Sequence, residues 1–565
     1  MDEQRTFVGR RAELERFREV LEDPCGQAIV VVGQAGMGKT WLIDRMARVA
    51  EEHPDLKCAS VRYEVTPTDS PETTMALMMD HAFEAAQASE GSFDRTDRRR
   101  KQWAALFKVF VPKGGDIADL YASLRRDPQR HTREQFLDRL RLISKRMPDN
   151  GRALFVIDPE KYMCSGCADT WRLVTRELPP KVKFLFAQRP EDKLVTSSNF
   201  MALENVVRLP GDRLGVLADQ EVEDLVRLRA DEIGQSGQTL HDAMAKYEGH
   251  PYAIQAAMGI VKKTGQIEDL PQDPTTEEIA ATQWKQVCKM DGDAIRLFEA
   301  YAILEVAVPH DVVQTVSKLD ATATKHLLSD PYLAGLLRRD AQGTRIYHAI
   351  LAEHVREQIG QGHQKALHGR AVEVYRAKLR EAREQQKAPD PLAAVRLPEH
   401  VFVVEGPTAS VHAFANECFA ALYNLGLYDA AADLYHRCRV VVEQDTNEEQ
   451  VLLGNQALIL HARGELDAAM DLHKEQERIC RQLGNLDGLS SSLGNQAVIL
   501  QARGELDAAM DLHKEVERIC RQLGNLDGLQ RSLGNQALIL KARGQLDAAM
   551  DLHKEQERIC RQLGN

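Results

Sequence analysis

The last third of the chain repeats itself. Gly454-Asn455-Gln456-Ala457 returns at Gly494-Asn495-Gln496-Ala497 and at Gly534-Asn535-Gln536-Ala537, a period of 40 residues. Gly-x-Leu-Asp-Ala-Ala-Met returns in step at Gly464, Gly504 and Gly544, and a divergent copy, Gly426-Leu427-Tyr428-Asp429-Ala430-Ala431, lies 38 residues ahead. Each copy reads as two helices split at Arg-Gly. Ala457 and Ala469 allow the helices to cross closely, while Leu460 and Leu472 supply apolar bulk. One such unit cannot bury its own apolar face, so a period in this range dictates an α-solenoid whose core forms by stacking neighbours. No polar capping helix follows Leu563-Gly564-Asn565, so the array is expected to be cut short or to end bare.

Far upstream, the apolar β-branched run Ala28-Ile29-Val30-Val31-Val32 leads into Gly33-Gln34-Ala35-Gly36-Met37-Gly38-Lys39-Thr40, and a helical pattern follows from Leu42 to Ala50. Strand, glycine loop and helix give the spacing G-x-x-x-x-G-K-[ST] its meaning. Glycines admit backbone angles that turn successive N–H groups inward around a phosphate, and the helix N-terminus favours the anion. Lys39 is placed to reach the β- and γ-phosphates, and the Thr40 hydroxyl to ligate Mg²⁺. Gly33, Gly36, Met37, Gly38, Lys39, Thr40 and the adjoining Trp41 form the candidate phosphate-binding set. The chain is therefore expected to bind a nucleoside triphosphate.

Further strands alternate with helical sequence. Leu56 to Val65 is one; Ala153-Leu154-Phe155-Val156-Ile157-Asp158 is another and ends in an acid. Ligands bind at the carboxyl ends of buried parallel strands, which places Asp158 to hold Mg²⁺ opposite Thr40. Val182 to Ala187 ends in Gln188-Arg189-Pro190, where a cation would lie beside a γ-phosphate, and Val206 to Leu209 is the last strand. This alternation predicts a doubly wound parallel sheet over residues 1–212. Helical sequence follows over 213–270, with Gly249-His250-Pro251 opening a helix and His250 facing solvent. Short helices and a β-wing around Gly343 occupy 275–360, a helical linker 361–410, and the repeat array 411–565. The fold class expected is multidomain, α/β followed by all-α.

Composition narrows the function. A net charge of -12 gives no support to nucleic-acid binding by the whole molecule. The start, Met1-Asp2-Glu3-Gln4-Arg5, has no apolar signal region, and no apolar run is long enough to span a membrane. A cytoplasmic protein is expected, and its ten cysteines read as thiols. Cys164-Ser165-Gly166-Cys167 lacks further ligands at metal spacing. His473 and Cys480, recurring at His513/Cys520 and His553/Cys560, read as packing positions rather than a metal ladder. The basic run Arg95 to Lys101 reads as a solvated face.

In their order, these motifs resemble the STAND class of P-loop NTPases, signalling switches related to NACHT and NB-ARC proteins, with C-terminal tetratricopeptide repeats (TPR) of the long type. The resemblance implies a P-loop NTPase domain, a helical domain, a winged-helix domain and a TPR solenoid, with ATP/ADP and Mg²⁺ as cofactors. It implies that Phe7-Val8-Gly9-Arg10 lies on the adenine side, that Asp158 is the Walker B acid, and that Arg189 is the sensor-1 arginine. Pro251 would pack near the adenine, and His348 would contact the ADP β-phosphate. Pro159 stands where many relatives carry a second acid that polarises the attacking water, so Glu160 is the candidate substitute in a slow ATPase. Ala349 replaces the Asp that commonly follows the winged-helix histidine, and no recognisable effector domain flanks the core. About six residues precede Phe7, too few for an effector domain ahead of it. The implied function is a switch that senses a protein partner through the TPR array and oligomerises on ATP binding, in antiviral defence or regulated signalling. The alternatives are a TPR scaffold with nucleotide as a structural cofactor, and a STAND-type transcription regulator.

Overall fold

A computed structural model describes residues 9–64, 132–158, 165–196, 198–211, 213–339, 343–425 and 427–563. Phe7, Val8, the run Arg95 to Lys101, Pro159, Glu160 and Cys164 lie outside these residues. The chain divides into two compact units, Met1–Val374 and Tyr375–Asn565.

In the first unit the apolar runs become the strands of one parallel sheet. They are β1 (Gln27–Val32), β2 (Lys57–Glu64), β3 (Gly151–Asp158), β4 (Val182–Gln188) and β5 (Val206–Leu209), in the order β2-β3-β4-β1-β5. β1 is buried along Ala28 to Val32 and divides two cores by alternation. Ala28, Val30 and Val32 face a cluster with Phe155, Trp171, Phe184 and Phe186. Ile29 and Val31 face the other, with Phe17 and Leu21 of helix α1 (Arg11–Glu22) and Leu42, Ile43 and Met46 of helix α2 (Lys39–Glu51). A strand covered on both faces must be apolar throughout, which is why β1 reads as a continuous run and not as an alternation.

Two buried cations hold the amino ends of the strands. Arg152 donates to the carbonyls of Leu21 (2.9 Å) and Glu22 (2.7 Å), at the C-terminus of α1, where a positive charge is favoured. Lys183 donates to the Cys25 carbonyl at 2.9 Å, and burial pushes its ammonium down to about 8. The two ends of the sheet thus differ: cations fixed by backbone carbonyls at one, the glycine loop at the other.

Helices follow the sheet. Asp219–Ile233, Gly237–Met244 and helix α3 (Pro251–Thr264) close around Leu225, Leu240, Tyr252, Ile254 and Met258. Four more run from Thr276–Cys288 to Ala321–Ser329, and after Pro331–Leu336 the chain turns into a hairpin. Its strands, β6 (Leu337–Arg339) and β7 (Thr344–Ile346), are antiparallel, and helix α4 (Ala349–Gln358) follows. Val308 and Thr344 exchange N–H···O bonds of 3.1 and 3.0 Å, extending the hairpin by one bridge. Gly343 is required there: a Cβ would stand 1.9 Å from the Val308 carbonyl oxygen.

The second unit is helical, and its six repeat helices alternate in length as the 40-residue period predicts. They are Asn447–Ala462, Leu466–Leu483, Leu486–Ala502, Leu506–Leu523, Leu526–Ala542 and Leu546–Leu563. Gly484 and Gly524 end their helices at φ 67°. The Asn485 and Asn525 side chains then accept from the N–H of Gly488 (2.9 Å) and Gly528 (2.8 Å), capping the next helices. Ala457 and Ala469 are wholly buried. His473 is buried too, its Nδ1 3.1 Å from Gln476 Oε1, and the Gln476 amide donates to Gln450 Oε1 at 3.1 Å. The Cys480 thiol donates to that same Gln450 oxygen at 3.4 Å. His473 and Cys480 thus belong to a packed polar seam inside the solenoid, whereas His513 is buried beside Val516 without it.

Candidate functional site

The sheet register builds the site. Val32 lies opposite Gln188, so the carboxyl ends of β1 and β4 finish level, and the Gly33 N–H donates to the Gln188 carbonyl at 3.1 Å. The glycine loop and Arg189 therefore emerge side by side. Along β3, Ile157 pairs with Phe186, which brings Asp158 to the same edge of the sheet. Gly36 and Gly38 turn the loop at φ 80° and 78°, and α2 starts at Lys39. Lys39 Nζ donates to the loop's own carbonyls, Gly33 at 2.6 Å and Gln34 at 2.8 Å. The ammonium is thereby held inside the loop where a β/γ-phosphate would be gripped.

Helix α3 docks on this loop. Tyr252 N–H donates to the Gly36 carbonyl at 3.2 Å, and Pro251 occupies the first turn, where its missing N–H removes no hydrogen bond. A Cβ on Gly36 would meet Tyr252 Cβ at 3.0 Å and His250 Cε1 at 3.1 Å, so this glycine is needed for contact as well as for conformation. His250, expected to face solvent, is half-buried for the same reason, and burial pushes its imidazole down. Its Nδ1 accepts from the Ala253 N–H at 3.4 Å, capping α3.

From the N-terminal side, Arg10 reaches into the same region. Its guanidinium is buried and donates to the carbonyls of Gly215 (2.6 Å), Met37 (3.2 Å) and Val216 (3.4 Å). Its own N–H donates to Glu221. Burial lowers its pKa while Glu13 and Glu221 raise it. Gly9, at φ 95°, packs its backbone on the Glu221 side chain. Arg10 thus ties the phosphate loop to the segment that leads into the helical region.

The β6–β7 hairpin and the residues that follow it close the far side. Trp41 Nε1 donates to the Tyr347 hydroxyl. His348 packs its ring 4.3 Å from Tyr252 and 4.3 Å from Tyr347. Burial there, with Arg345 and His250 nearby, pushes it down to about 3, so the imidazole is neutral at physiological pH.

These parts enclose a cavity of about 190 Å³ whose lining includes Met37, Lys39, Thr40, Arg189, Pro251 and His348. Residues from four separate stretches of sequence thus meet at one place. Arg338, Arg345, Asp192 and Tyr347 also line it and were not singled out from the sequence. Asp192 Oδ2 accepts from the Arg189 N–H at 2.6 Å, and burial raises its carboxyl while that N–H, Arg189 and Lys39 lower it. Glu305 and Arg356, also in the lining, pair at 3.0 Å. The lining is cationic overall, with aromatic and aliphatic patches beside the charges, and a loop of N–H groups at a helix start opens into it. That chemistry fits a nucleotide with its polyphosphate on the loop.

Comparison with known proteins agrees with the loop. The AAA ATPase domain family model matches residues 6–159. A search of curated proteins found no match. Among solved structures, a STAND protein with a tetratricopeptide repeat sensor from Pyrococcus horikoshii is 14% identical with a TM-score of 0.44, covering 99% of this chain and 78% of that one. BtubC from P. vanneervenii is 17% identical with a TM-score of 0.27, covering 37% of this chain and 94% of that one. A kinesin light chain with nearly identical TPR-like repeats from Podosopora anserina is 18% identical, also at TM-score 0.27, covering 33% and 94%. Residues 6–159 thus match an AAA ATPase domain, and the chain joins a P-loop NTPase to an array of paired helices with a 40-residue period.

Proposed function

We propose that the chain is a nucleotide-controlled signalling switch. ADP on the loop Gly33 to Thr40 holds the P-loop, helical and winged-helix domains (residues 1–212, 213–270 and 275–360) in a closed arrangement. A protein partner recognised by the TPR array biases opening, ATP with Mg²⁺ replaces ADP, and the open protomers associate. The observation that carries this reading is the shared cavity: Lys39, Arg189, Pro251 and His348 come from different segments and line one space. A ligand that touches all of them stabilises only the arrangement in which they are together. In this reading Lys39 grips the β/γ-phosphates, Thr40 and Asp158 hold Mg²⁺, Arg189 faces the γ-phosphate, and Glu160 orients water for slow hydrolysis. Val8, Gly9 and Arg10 form the adenine-side segment. Antiviral defence or regulated signalling is the setting that the STAND resemblance suggests.

Pro159 after Asp158 favours a second reading, a TPR scaffold in which nucleotide is structural and is not turned over. A transcription regulator is disfavoured, because the wing's Arg338 and Arg345 line the cavity rather than offering themselves to DNA. One experiment separates the first two. The nucleotide retained on purification is identified, and molecular mass is measured with ADP and with a non-hydrolysable ATP analogue. A switch carries ADP and gains mass with the analogue. Identical mass in both nucleotides, with ADP retained indefinitely, leaves the scaffold.

A further inference from the structure

The polar seam of the repeats is interrupted at one place. In the first repeat His473 Nδ1 lies 3.1 Å from Gln476 Oε1, and the Gln476 amide donates to Gln450 Oε1 at 3.1 Å. The third repeat does the same: His553 Nδ1 is 3.1 Å from Gln556 Oε1, whose amide donates to Gln530 Oε1 at 3.3 Å. The middle repeat keeps the histidine, His513, but carries Val516 and Ser490 in place of the two glutamines. Ser490 Oγ is spent on the Asp487 carbonyl, to which it donates at 2.9 Å. His513 is 1% exposed, and neither ring nitrogen has a hydrogen-bond partner among the described residues. Its main chain is nevertheless held as that of His473 is. Ser532 Oγ donates to the His513 carbonyl at 2.7 Å, and Ser492 Oγ to that of His473 at 2.6 Å.

Open space stands where the glutamine amide lies in the other repeats. A Cβ on Gly454 or Gly534 would meet that amide nitrogen at 2.6 Å, whereas one on Gly494 meets nothing within 4 Å. Gly454 and Gly534 are buried and Gly494 is partly exposed, so the space reaches the surface. Burial pushes the His513 imidazole down to about 4, which leaves it neutral with one N–H to donate. A buried donor without an acceptor is costly, so a group that supplies one is favoured there. The adjoining repeats show which group fits: a primary carboxamide, its oxygen on the imidazole and its NH₂ toward the second helix. Ser490 oxygen can still accept from that NH₂, because a hydroxyl has two lone pairs. We infer that the middle repeat is a notch for a primary carboxamide, with His513 as donor, Ser490 as acceptor and Gly494 at its mouth. The notch stands on the repeat geometry. That its occupant is an asparagine or glutamine side chain of the protein partner rests on reading the array as the sensor.

The test follows the histidine imidazoles of the full chain by NMR while acetamide is added, with His473 and His553 as internal references. His513 alone should shift, and saturably, with half-saturation in about the millimolar range or above that suits so small a ligand. Acetate, whose charge would be buried unpaired, should bind at least about tenfold more weakly. Val516→Gln supplies the amide from within, and Val516→Gln with Ser490→Gln rebuilds the seam of the adjoining repeats. Both should abolish the response, and amide exchange checks that the array stays folded. A shift that grows linearly with acetamide, that acetate matches, or that survives in Val516→Gln overturns the notch and leaves the imidazole to buried water. Doubly blocked glutamine and asparagine (N-acetyl, C-methylamide) separate the possible sources of the carboxamide. Saturation by either, with none by blocked glutamate, supports a partner's side chain; saturation by acetamide alone overturns that assignment and leaves a site for a small free amide. The nucleotide experiment is independent: a chain that retains no ADP and keeps its mass loses the switch and keeps the notch, whereas a linear acetamide response loses only the notch.

Discussion

The same glycine occupies the same helical position in three nearly identical repeats, and alanine there should have opposite effects. Gly454, Gly494 and Gly534 begin the recurring Gly-Asn-Gln-Ala. A Cβ on Gly454 would stand 2.6 Å from Gln476 Nε2, and one on Gly534 2.6 Å from Gln556 Nε2. A Cβ on Gly494 meets nothing within 4 Å, because the equivalent of Gln476 in that repeat is Val516. Gly494→Ala should therefore stabilise its helix by about 0.5–1 kcal/mol, the ordinary advantage of alanine over glycine. Gly454→Ala gains as much but must displace Gln476, which is buried and bonded to Gln450 and near His473. Each buried polar group left unpaired costs about 1–3 kcal/mol, so the net effect is a loss of about 1–2 kcal/mol or more. The assay is amide hydrogen exchange on the full chain, which reads the local opening free energy of each repeat. Protection should rise around Gly494 in one variant and fall around Gly454 in the other. Combining Gly454→Ala with Gln450→Ser and Gln476→Val, the residues that the middle repeat carries as Ser490 and Val516, should recover the loss. Equal shifts for Gly454→Ala and Gly494→Ala would refute the reasoning, since the sequence around the two glycines is otherwise nearly the same.

Arg189→Ala should spare ADP binding and impair the response to ATP, because the γ-phosphate is the group expected at that strand end; equal losses of both in equilibrium titrations would give Arg189 another role. Release of a fluorescent ADP analogue should accelerate on acidification. His348 stays neutral down to about 3 in the closed arrangement, whereas an exposed imidazole protonates near its ordinary 6.5. The closed state is at full strength above that ordinary value and loses up to about 1.4 kcal/mol per pH unit below it. His348→Gln should flatten most of this dependence between about pH 7.5 and about pH 5.5, and a profile as steep as wild type would place the sensitive group elsewhere. Asp158→Asn should weaken Mg²⁺-dependent binding of ATP more than Mg²⁺-free binding of ADP; equal effects in calorimetry would remove it from the metal site.

What could be read from sequence and what could not follow one division. The loop Gly33 to Thr40, the parallel strands, the hairpin around Gly343 and the repeat helices each depend on residues close together in the chain. Their glycine spacing and hydrophobic period therefore carry them. The pairing of Arg338 with Arg345 was hidden because it needs the hairpin register as well as the hairpin, and its approach to Lys39 needs the tertiary arrangement. Arg10 stood out only as part of a short motif; that its guanidinium would hold the Met37 and Gly215 carbonyls is a contact across more than 200 residues for one of its partners. Gly-His-Pro reads as a solvent-facing helix start, and it does start a helix. The contact with Gly36 that half-buries His250 is invisible locally. Inside the repeats, the linked change of Gln450 and Gln476 to Ser490 and Val516 was on view in the sequence. Its meaning needed the 3.1 Å bond between the two amides.

The cavity suggests how binding energy and movement are coupled here. Its cations come from both sides of the opening: Lys39 and Arg189 from the sheet edge, Arg338 and Arg345 from the wing. Contacts between the two sides that do not involve charge include the Trp41–Tyr347 hydrogen bond and the packing of His348 on Tyr252. These contacts favour closure. A polyphosphate would add to them, because it would meet both sets of cations in a partly desolvated space. On the switch reading, a nucleotide in this place bridges the two sides. Its differential affinity for the closed arrangement sets how strongly a partner must bind the open one to release it. Keeping His348 neutral fits that balance: a charged imidazole would add a third cation to the wing and weaken the closed state before any nucleotide left.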